Sequence, residues 1–258
     1  MRIDATIQAR LGSSRLHGKV LKPIVGKPML ELQIERIRQS RLIDRVIVAT
    51  TDQTADDAIE ALARRLDCPC FRGSENDVLG RVVGALTTYD VELHVEFQGD
   101  NPMPDAHLVD SIIGYYLKNA AVYDYVSNAL KTTYPPGAEV SVYPAAVLID
   151  AERRAGETAL REHVGLHIYQ HPERYRIRNL EAPPWLHRPD LHLEVDTEAD
   201  FNLVSAVFQH FYADNPGFTL AQVIEFADNN PDLANSTRDI ERRWKRFRRD
   251  EPVAQDRS

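Results

Sequence analysis

Gln8-Ala9-Arg10-Leu11-Gly12-Ser13-Ser14-Arg15-Leu16-His17-Gly18-Lys19 is the stretch on which the reading of this chain turns. It follows a short apolar run, residues 5–9, that reads as a first buried strand. Small residues after a strand let backbone N–H groups turn toward an anion, and Arg10, Arg15 and Lys19 add the positive charge that a triphosphate needs. The stretch is not a Walker A loop: five residues rather than four separate Gly12 from Gly18, and Val20 stands where that motif places a magnesium-binding Ser or Thr. A metal nucleotide bound here needs carboxylates from elsewhere in the chain to hold its Mg²⁺. The plainer alternative is a Gly/Ser surface turn with solvated cations.

Outward from that loop, Pro28 suits the first turn of a helix with Leu30, Ile34 and Ile37 on one face. Residues 46–48 form a second buried strand, and Thr54 with Asp57 offers a capping box for a helix whose apolar face is Ile59, Leu62, Ala63 and Leu66. A short strand around Phe71 leads to a helix expected to begin at Ser74, with Val78, Leu79, Val82, Val83 and Leu86 facing inward. Val91, Leu93, Val95 and Phe97 alternate into a central strand that ends near Gln98. Such alternation marks βαβ units and a mainly parallel α/β sheet, where ligands bind beyond the carboxyl ends of the strands.

From about Tyr123 the pattern changes. Residues 139–143 and 175–180 read as strands, prolines crowd the linkers, and residues 123–190 read as an insertion or lobe over one end of the sheet. Leu191, Leu193 and Val195 then alternate as a returning strand, and Thr197 with Asp200 caps the helix after it. One domain over residues 1–250, with a disordered tail at 251–258, is the expected organisation.

Composition bounds the function. A chain of 258 residues with 43% hydrophobic content can bury a full core near the upper size of one domain. It has no apolar run of about 18 residues, and Met1-Arg2-Ile3-Asp4 lacks the order of a signal peptide, so a cytoplasmic protein with no membrane partner is expected. A net charge of −8 argues against a general nucleic-acid binder, so any phosphate site must be local. Cys68 and Cys70, the only cysteines, cannot by themselves supply four zinc ligands and read as reduced thiols. Near the C-terminus, Arg242, Arg243, Lys245, Arg246, Arg248 and Arg249 surround Trp244 and Phe247 at helical spacing. The aromatics are read as docking a last helix while the cations stay solvated; RNA or anionic lipid is the alternative partner.

Two aspartates fit the missing metal role. Asp100 follows the central strand in Phe97-Gln98-Gly99-Asp100-Asn101-Pro102, and Asp196 closes the run that ends at Val195, just before a helix. Both are expected at one edge of the sheet, gripping one Mg²⁺, although a turn residue or helix cap is the common occupation of such an aspartate. His163, His167 and His171 recur every fourth residue, and a shared helix face with metal chelation is a minor reading of them. Pro135, Pro136 and Gly137 suggest a loop folded over a site, which makes Tyr134, Glu139 and Ser141 acceptor-side candidates.

The run from Gln8 to Leu21, with Gly26-Lys27-Pro28-Met29 after it, resembles the opening of the cytidylyltransferase family that includes the acylneuraminate and 3-deoxy-manno-octulosonate (Kdo) enzymes. It is similar above all to the SpsF-like polysaccharide-biosynthesis branch. The likeness continues in order through Ala49-Thr50-Thr51-Asp52, the block from Phe71 to Arg81, Gln98-Gly99-Asp100, Arg161-Glu162-His163-Val164 and Val195-Asp196-Thr197, and so spans most of the chain. His17 departs from the proline usual before Gly18.

This resemblance implies a GT-A-like α/β fold, with a small α+β insertion for acceptor binding and dimerisation, that joins CMP from CTP to a small acid and releases pyrophosphate. It implies that Arg10, Gly12, Ser13, Arg15 and Lys19 hold the triphosphate, with Gln8 and Leu11 in the same nucleotide-binding set. Arg72, Ser74, Asp77 and Gln98 are then expected beside the base and ribose, and Asp100 with Asp196 around Mg²⁺. Arg15, Lys19 and Asp100 are expected to carry the catalytic roles, and Arg161 and His163 to face the acceptor or the dimer contact, with Tyr134 and Glu139 on the acceptor side. His167 and His171 are left as surface residues, and a homodimer is the implied assembly. The alternatives are a sugar-1-phosphate nucleotidyltransferase using UTP or GTP, and a nucleotide-binding protein without turnover.

Overall fold

A computed structural model describes residues 1–156, 161–238 and 240–242. Its first strand, β1 (Ile3–Gln8), points Ile3, Ala5 and Ile7 to one face and Asp4, Thr6 and Gln8 to the other, as the two-residue period of a strand requires. A small hairpin of β2 (Pro23–Ile24) and β3 (Lys27–Pro28) leads into α1 (Met29–Ile37), on which Leu30, Ile34 and Ile37 are buried. Each of these side chains contributes roughly 1.5–3 kcal/mol by burial. Next come β4 (Arg45–Thr51), α2 (Asp57–Arg65), β5 (Cys70–Gly73), α3 (Val78–Thr88), β6 (Leu93–Gln98) and α4 (Ala106–Asn119).

The region after α4 continues the same sheet. It supplies β7 (Tyr125–Ser127), β8 (Ser141–Pro144), α5 (Ala145–Arg154), α6 (Leu166–Gln170) and β9 (Ile177–Asn179). The chain then returns through an extended segment to α7 (Glu198–Phe211), α8 (Leu220–Asn229) and the short α9 (Pro231–Asn235).

The seven strands lie in the order β5-β4-β1-β6-β8-β7-β9, with only β8 antiparallel to its neighbours. Side chains of α1, α2, α4, α7 and α8 share a core with Ile3, Ala5, Ile7, Val95 and Phe97. Those of α3, α5 and α6 form a second core with Ile47, Ala49, Tyr125 and Tyr143. The result is the expected mixed, mainly parallel sheet between two helical layers, and the carboxyl ends of β1, β4, β5 and β6 open onto one edge. Among the described residues, no helix is long and apolar enough to cross a membrane.

Several local expectations change. Residues 191–195 alternate and are buried at Leu191, Leu193 and Val195 but form no strand. Their N–H groups go to loops instead: Leu193 N donates to Pro136 O at 2.6 Å and Val195 N to Asp100 O at 2.8 Å. The helix expected from Ser74 begins at Val78, because Asp77 caps it by accepting from Gly80 N. Thr54 opens a short 3-10 turn without a capping bond, and α2 starts at Asp57. The Thr197–Asp200 capping box forms as read. His167 is buried rather than at the surface, and its ring stacks on that of His171 at 4.2 Å. The three histidines do not share a helix, since α6 spans only Leu166–Gln170. The tail 251–258 and the basic residues 243–249 lie outside the described residues, whereas Arg242 is buried.

Candidate active site

The strand edge carries a cleft of about 1290 Å³. This exceeds the roughly 300–1,000 Å³ of a typical ligand pocket. The loop after β1 forms one wall. Leu11 anchors it: its N–H donates to Asp56 Oδ1 at 2.8 Å, while its carbonyl accepts from Ser13 N at 2.7 Å and Gly18 N at 3.0 Å. Gly18 sits at φ +67°, a left-handed conformation that favours glycine, and turns the chain into the 3-10 segment Lys19–Leu21. Lys19 is thereby buried and its side chain is aimed inward.

Opposite the loop, Gly99 makes the turn at the end of β6. Its N–H donates to Gln8 O at 2.8 Å, and a Cβ there would lie 2.5 Å from that same carbonyl oxygen. The next residue, Asp100, accepts Val195 N on its backbone oxygen, which places Asp196 alongside it. The ammonium of Lys19 lies between them. Nζ is 2.5 Å from Val195 O, 3.1 Å from Asp196 Oδ1 and 3.4 Å from Asp100 Oδ2. Arg15 pairs with the other Asp196 oxygen at 2.6 Å, and Arg10 lies 3.7 Å from Glu75. The loop cations and both acids thus meet in one place.

Asp100 is held under strain of charge. Burial pushes its carboxyl above the usual carboxylate range, the Lys19 ammonium pulls it back, and Asp196 and Glu194 push it further up. Its Oδ1 is buried without a hydrogen-bond partner. An orphaned carboxylate oxygen beside a second carboxylate, next to the Gly12–Gly18 loop, fits the oxygen-rich coordination of Mg²⁺, which typically takes one or two carboxylates along with phosphate oxygens. Among the described residues no group of three His, Cys, Asp or Glu side chains converges to hold a metal, so the phosphates and water would have to complete the shell.

The remaining candidates divide. Gln8, Arg10, Gly12, Ser13, Arg15, Lys19, Gln98, Asp100, Asp196, Glu139, Ser141 and His163 line the cleft. Arg72, Ser74, Asp77, Leu11, Tyr134 and Arg161 are not brought to its wall. Arg72 clamps β4 to α2 through Thr51 O, Gln53 O, Asp57 and Glu60. Arg161 bridges Asp77 and Glu152, each at 2.6 Å. Tyr134 is buried, and the Pro135–Gly137 turn packs on residues 193–194 instead of lying over the cleft: Gly137, at φ +104°, has Glu194 N 2.5 Å from where a Cβ would stand.

Sequence reasoning gave no role to Arg81, Glu96 or Glu194, all on the cleft wall. Charges within the apolar runs Leu79-Gly80-Arg81-Val82 and Val95-Glu96-Phe97 were the signal that could have found the first two. It also read Arg242 as solvated. Arg242 is buried and grips Asp200 at 2.6 and 3.0 Å, with Glu194 at 3.6 Å and Asp196 at 4.0 Å. Asp200 in turn accepts Asp196 N and Thr197 N, and Arg15 donates to Glu241 O, so the end of the described chain braces the acid pair.

The comparisons with known proteins agree with this architecture. A family model described as cytidylyltransferase matches residues 5–238. The chain is 38% identical over 235 residues to an uncharacterized protein of Methanocaldococcus jannaschii, covering 91% of this chain and 94% of that one. It is 36% identical over 233 residues to the spore coat polysaccharide biosynthesis protein SpsF of Bacillus subtilis, covering 88% and 95%. Among solved structures, a cytidylyltransferase from Leptospira borgpetersenii superposes with a TM-score of 0.86 at 25% identity, covering 94% of this chain and 99% of that one. With the model match spanning the loop, the Gly99–Asp100 turn and Asp196, this chain belongs to the cytidylyltransferase family.

Proposed function

We propose that this chain transfers the CMP group of CTP to a small acidic acceptor, a sugar acid before a phosphonate or phosphorylated small molecule. The observation that supports it most is the meeting of Lys19 with Asp100 and Asp196 under the Gly12–Gly18 loop. An acceptor oxygen attacks the α-phosphorus in line, the bond from that phosphorus to the β-phosphate oxygen breaks, and pyrophosphate leaves with the electron pair. Arg10, Arg15 and Lys19 exchange their carboxylate partners for phosphate oxygens and stabilise the charge that grows on the leaving group. Mg²⁺, when bound by Asp100 and Asp196, supplies Lewis-acid polarisation of the phosphates. Gln8 and Gln98 lie at the strand ends, beside the nucleotide.

Family membership favours cytidine over the UTP or GTP of a sugar-1-phosphate nucleotidyltransferase. The loop cations and the acid pair, brought together in the cleft, favour turnover over mere nucleotide binding. A homodimer and a role in surface polysaccharide synthesis belong to the same reading; light scattering checks the first. The deciding experiment measures pyrophosphate release from CTP, UTP, GTP and ATP across a panel of acids, with the CMP-linked product identified by mass. Release confined to UTP or GTP, or none at all, overturns the proposal.

A further inference from the structure

We infer that Glu96, on the floor of the cleft, is a specificity-determining residue that receives hydrogen-bond donors of the acceptor, its hydroxyl or ammonium groups; this rests on the cleft holding CTP and an acceptor together. The position follows from the strand. His94, Glu96 and Gln98 share one face of β6, so Glu96 lies about 7 Å below the rim residue Gln98.

Glu96 is 9% exposed yet lines the cleft. Its Oε2 accepts the Tyr143 hydroxyl at 2.6 Å, and its Oε1 accepts only a long bond of 3.3 Å from the Gln8 amide. A carboxylate has about four lone-pair sites, so acceptor capacity remains on the side open to the cleft. No Lys or Arg among the described residues forms an ion pair with it, and burial pushes its carboxyl up to about 7. A buried carboxylate without a cation costs stability, and such groups in clefts are enriched at functional sites.

The neighbours favour the same chemistry. Ser141 stands opposite Glu96 in the β6–β8 register, and its Oγ takes the Tyr125 hydroxyl at 2.8 Å. This part of the floor is built of hydroxyls and one carboxylate. The loop cations Arg10, Arg15 and Lys19 follow β1 instead. An acid group would be repelled by Glu96 and attracted toward the loop, while a polyol or amino-bearing portion of the same molecule would find acceptors on the floor. The acceptor class that fits is a polyhydroxylated acid, with or without an amine, and not a bare phosphonate.

The test uses the full chain with Mg²⁺, CTP and three probes: 3-deoxy-manno-octulosonate, its 8-amino-3,8-dideoxy analogue and phosphonoacetate. Glu96→Ala is expected to raise the KM of the turned-over sugar acid tenfold or more while the CTP Kd, read by calorimetry, changes less than twofold. Glu96→Gln, which keeps the shape and removes the buried charge, folds and shows a smaller rise for a hydroxyl-bearing probe than for the amino probe. Equal acceptor KM in wild type and Glu96→Ala overturns the inference, as does a parallel loss of CTP affinity. Turnover of phosphonoacetate with neither sugar acid overturns it while leaving the cytidylyltransferase reading intact. Absence of pyrophosphate release from CTP with every probe counts against both.

Discussion

Lys19 Nζ lies 3.1 Å from Asp196 Oδ1 across 177 residues of sequence. The same ammonium lies 3.4 Å from Asp100, so it links two carboxylates that repel each other, while Arg15 holds the other Asp196 oxygen. Lys19→Ala is expected to lose about 3 kcal/mol of transition-state stabilisation, roughly a hundredfold in kcat/KM, as single electrostatic donors do elsewhere. Near-native turnover with CTP in that variant would take the loop out of the mechanism.

The acid pair predicts a divalent-metal requirement. Chelation should abolish turnover, and Asp100→Asn or Asp196→Asn should each raise the Mg²⁺ concentration needed for half-maximal rate by about 10-fold or more, the range seen when a metal site loses a supporting carboxylate. A Mg²⁺ titration of CTP binding checks this, and unchanged metal dependence in both variants would remove these residues from the metal site.

Arg242 should matter for stability. Arg242→Met leaves Asp200, which is fully buried, without its guanidinium, and breaking a buried pair this way costs about 3–5 kcal/mol. Urea unfolding measures that loss. Arg242→Lys should recover only part of it, because an ammonium cannot span both Asp200 oxygens as the planar fork does.

Gly99→Ala tests the turn that aims Asp100. The added Cβ would meet Gln8 O at 2.5 Å, a backbone atom that cannot swing aside, so the β1–β6 end must shift. A displacement of about 1 Å in a catalytic group can lower rate by roughly 100-fold. The expected result is a folded variant with kcat reduced more than CTP affinity; unaltered kcat would count against the turn's role.

A pH effect follows from His94, which bonds Thr6 Oγ at 2.7 Å beneath the sheet. Burial pushes its imidazole down to about 3 from an ordinary value of 6.5. The folded state therefore resists protonation that the unfolded chain accepts, and stability is lost as pH falls from about 6.5 toward 3, by up to ~1.4 kcal/mol per pH unit. His94→Gln removes this dependence. The stability difference between variant and wild type should shift in the variant's favour on going from pH 7 to pH 5, and a flat difference would contradict the assignment.

Much of the fold was legible locally. The two-residue alternation through residues 3–8 and 93–97, the apolar stripe Leu30-Ile34-Ile37 and the Thr197–Asp200 box each specify their element within a few residues. The cationic turn after β1, and Asp100 and Asp196, which meet it, stand out by spacing and charge in the same way. Residues 191–195 mislead because alternation reports burial on one side and does not reveal whether the backbone finds a ladder or, as here, two loops.

By itself, then, the sequence determined the main strands and helices through residue 98 and the cationic turn after β1, since those depend on periodicity and on chemistry carried within short segments. Only the tertiary structure decided that Lys19 stands between Asp100 and Asp196, that Arg242 reaches back to Asp200, and that Glu96 lines the cleft with no Lys or Arg of the described residues in an ion pair with it. Those relationships are made by groups tens to hundreds of residues apart, whose mutual distance is fixed by strand order and packing and leaves no periodic trace in the chain.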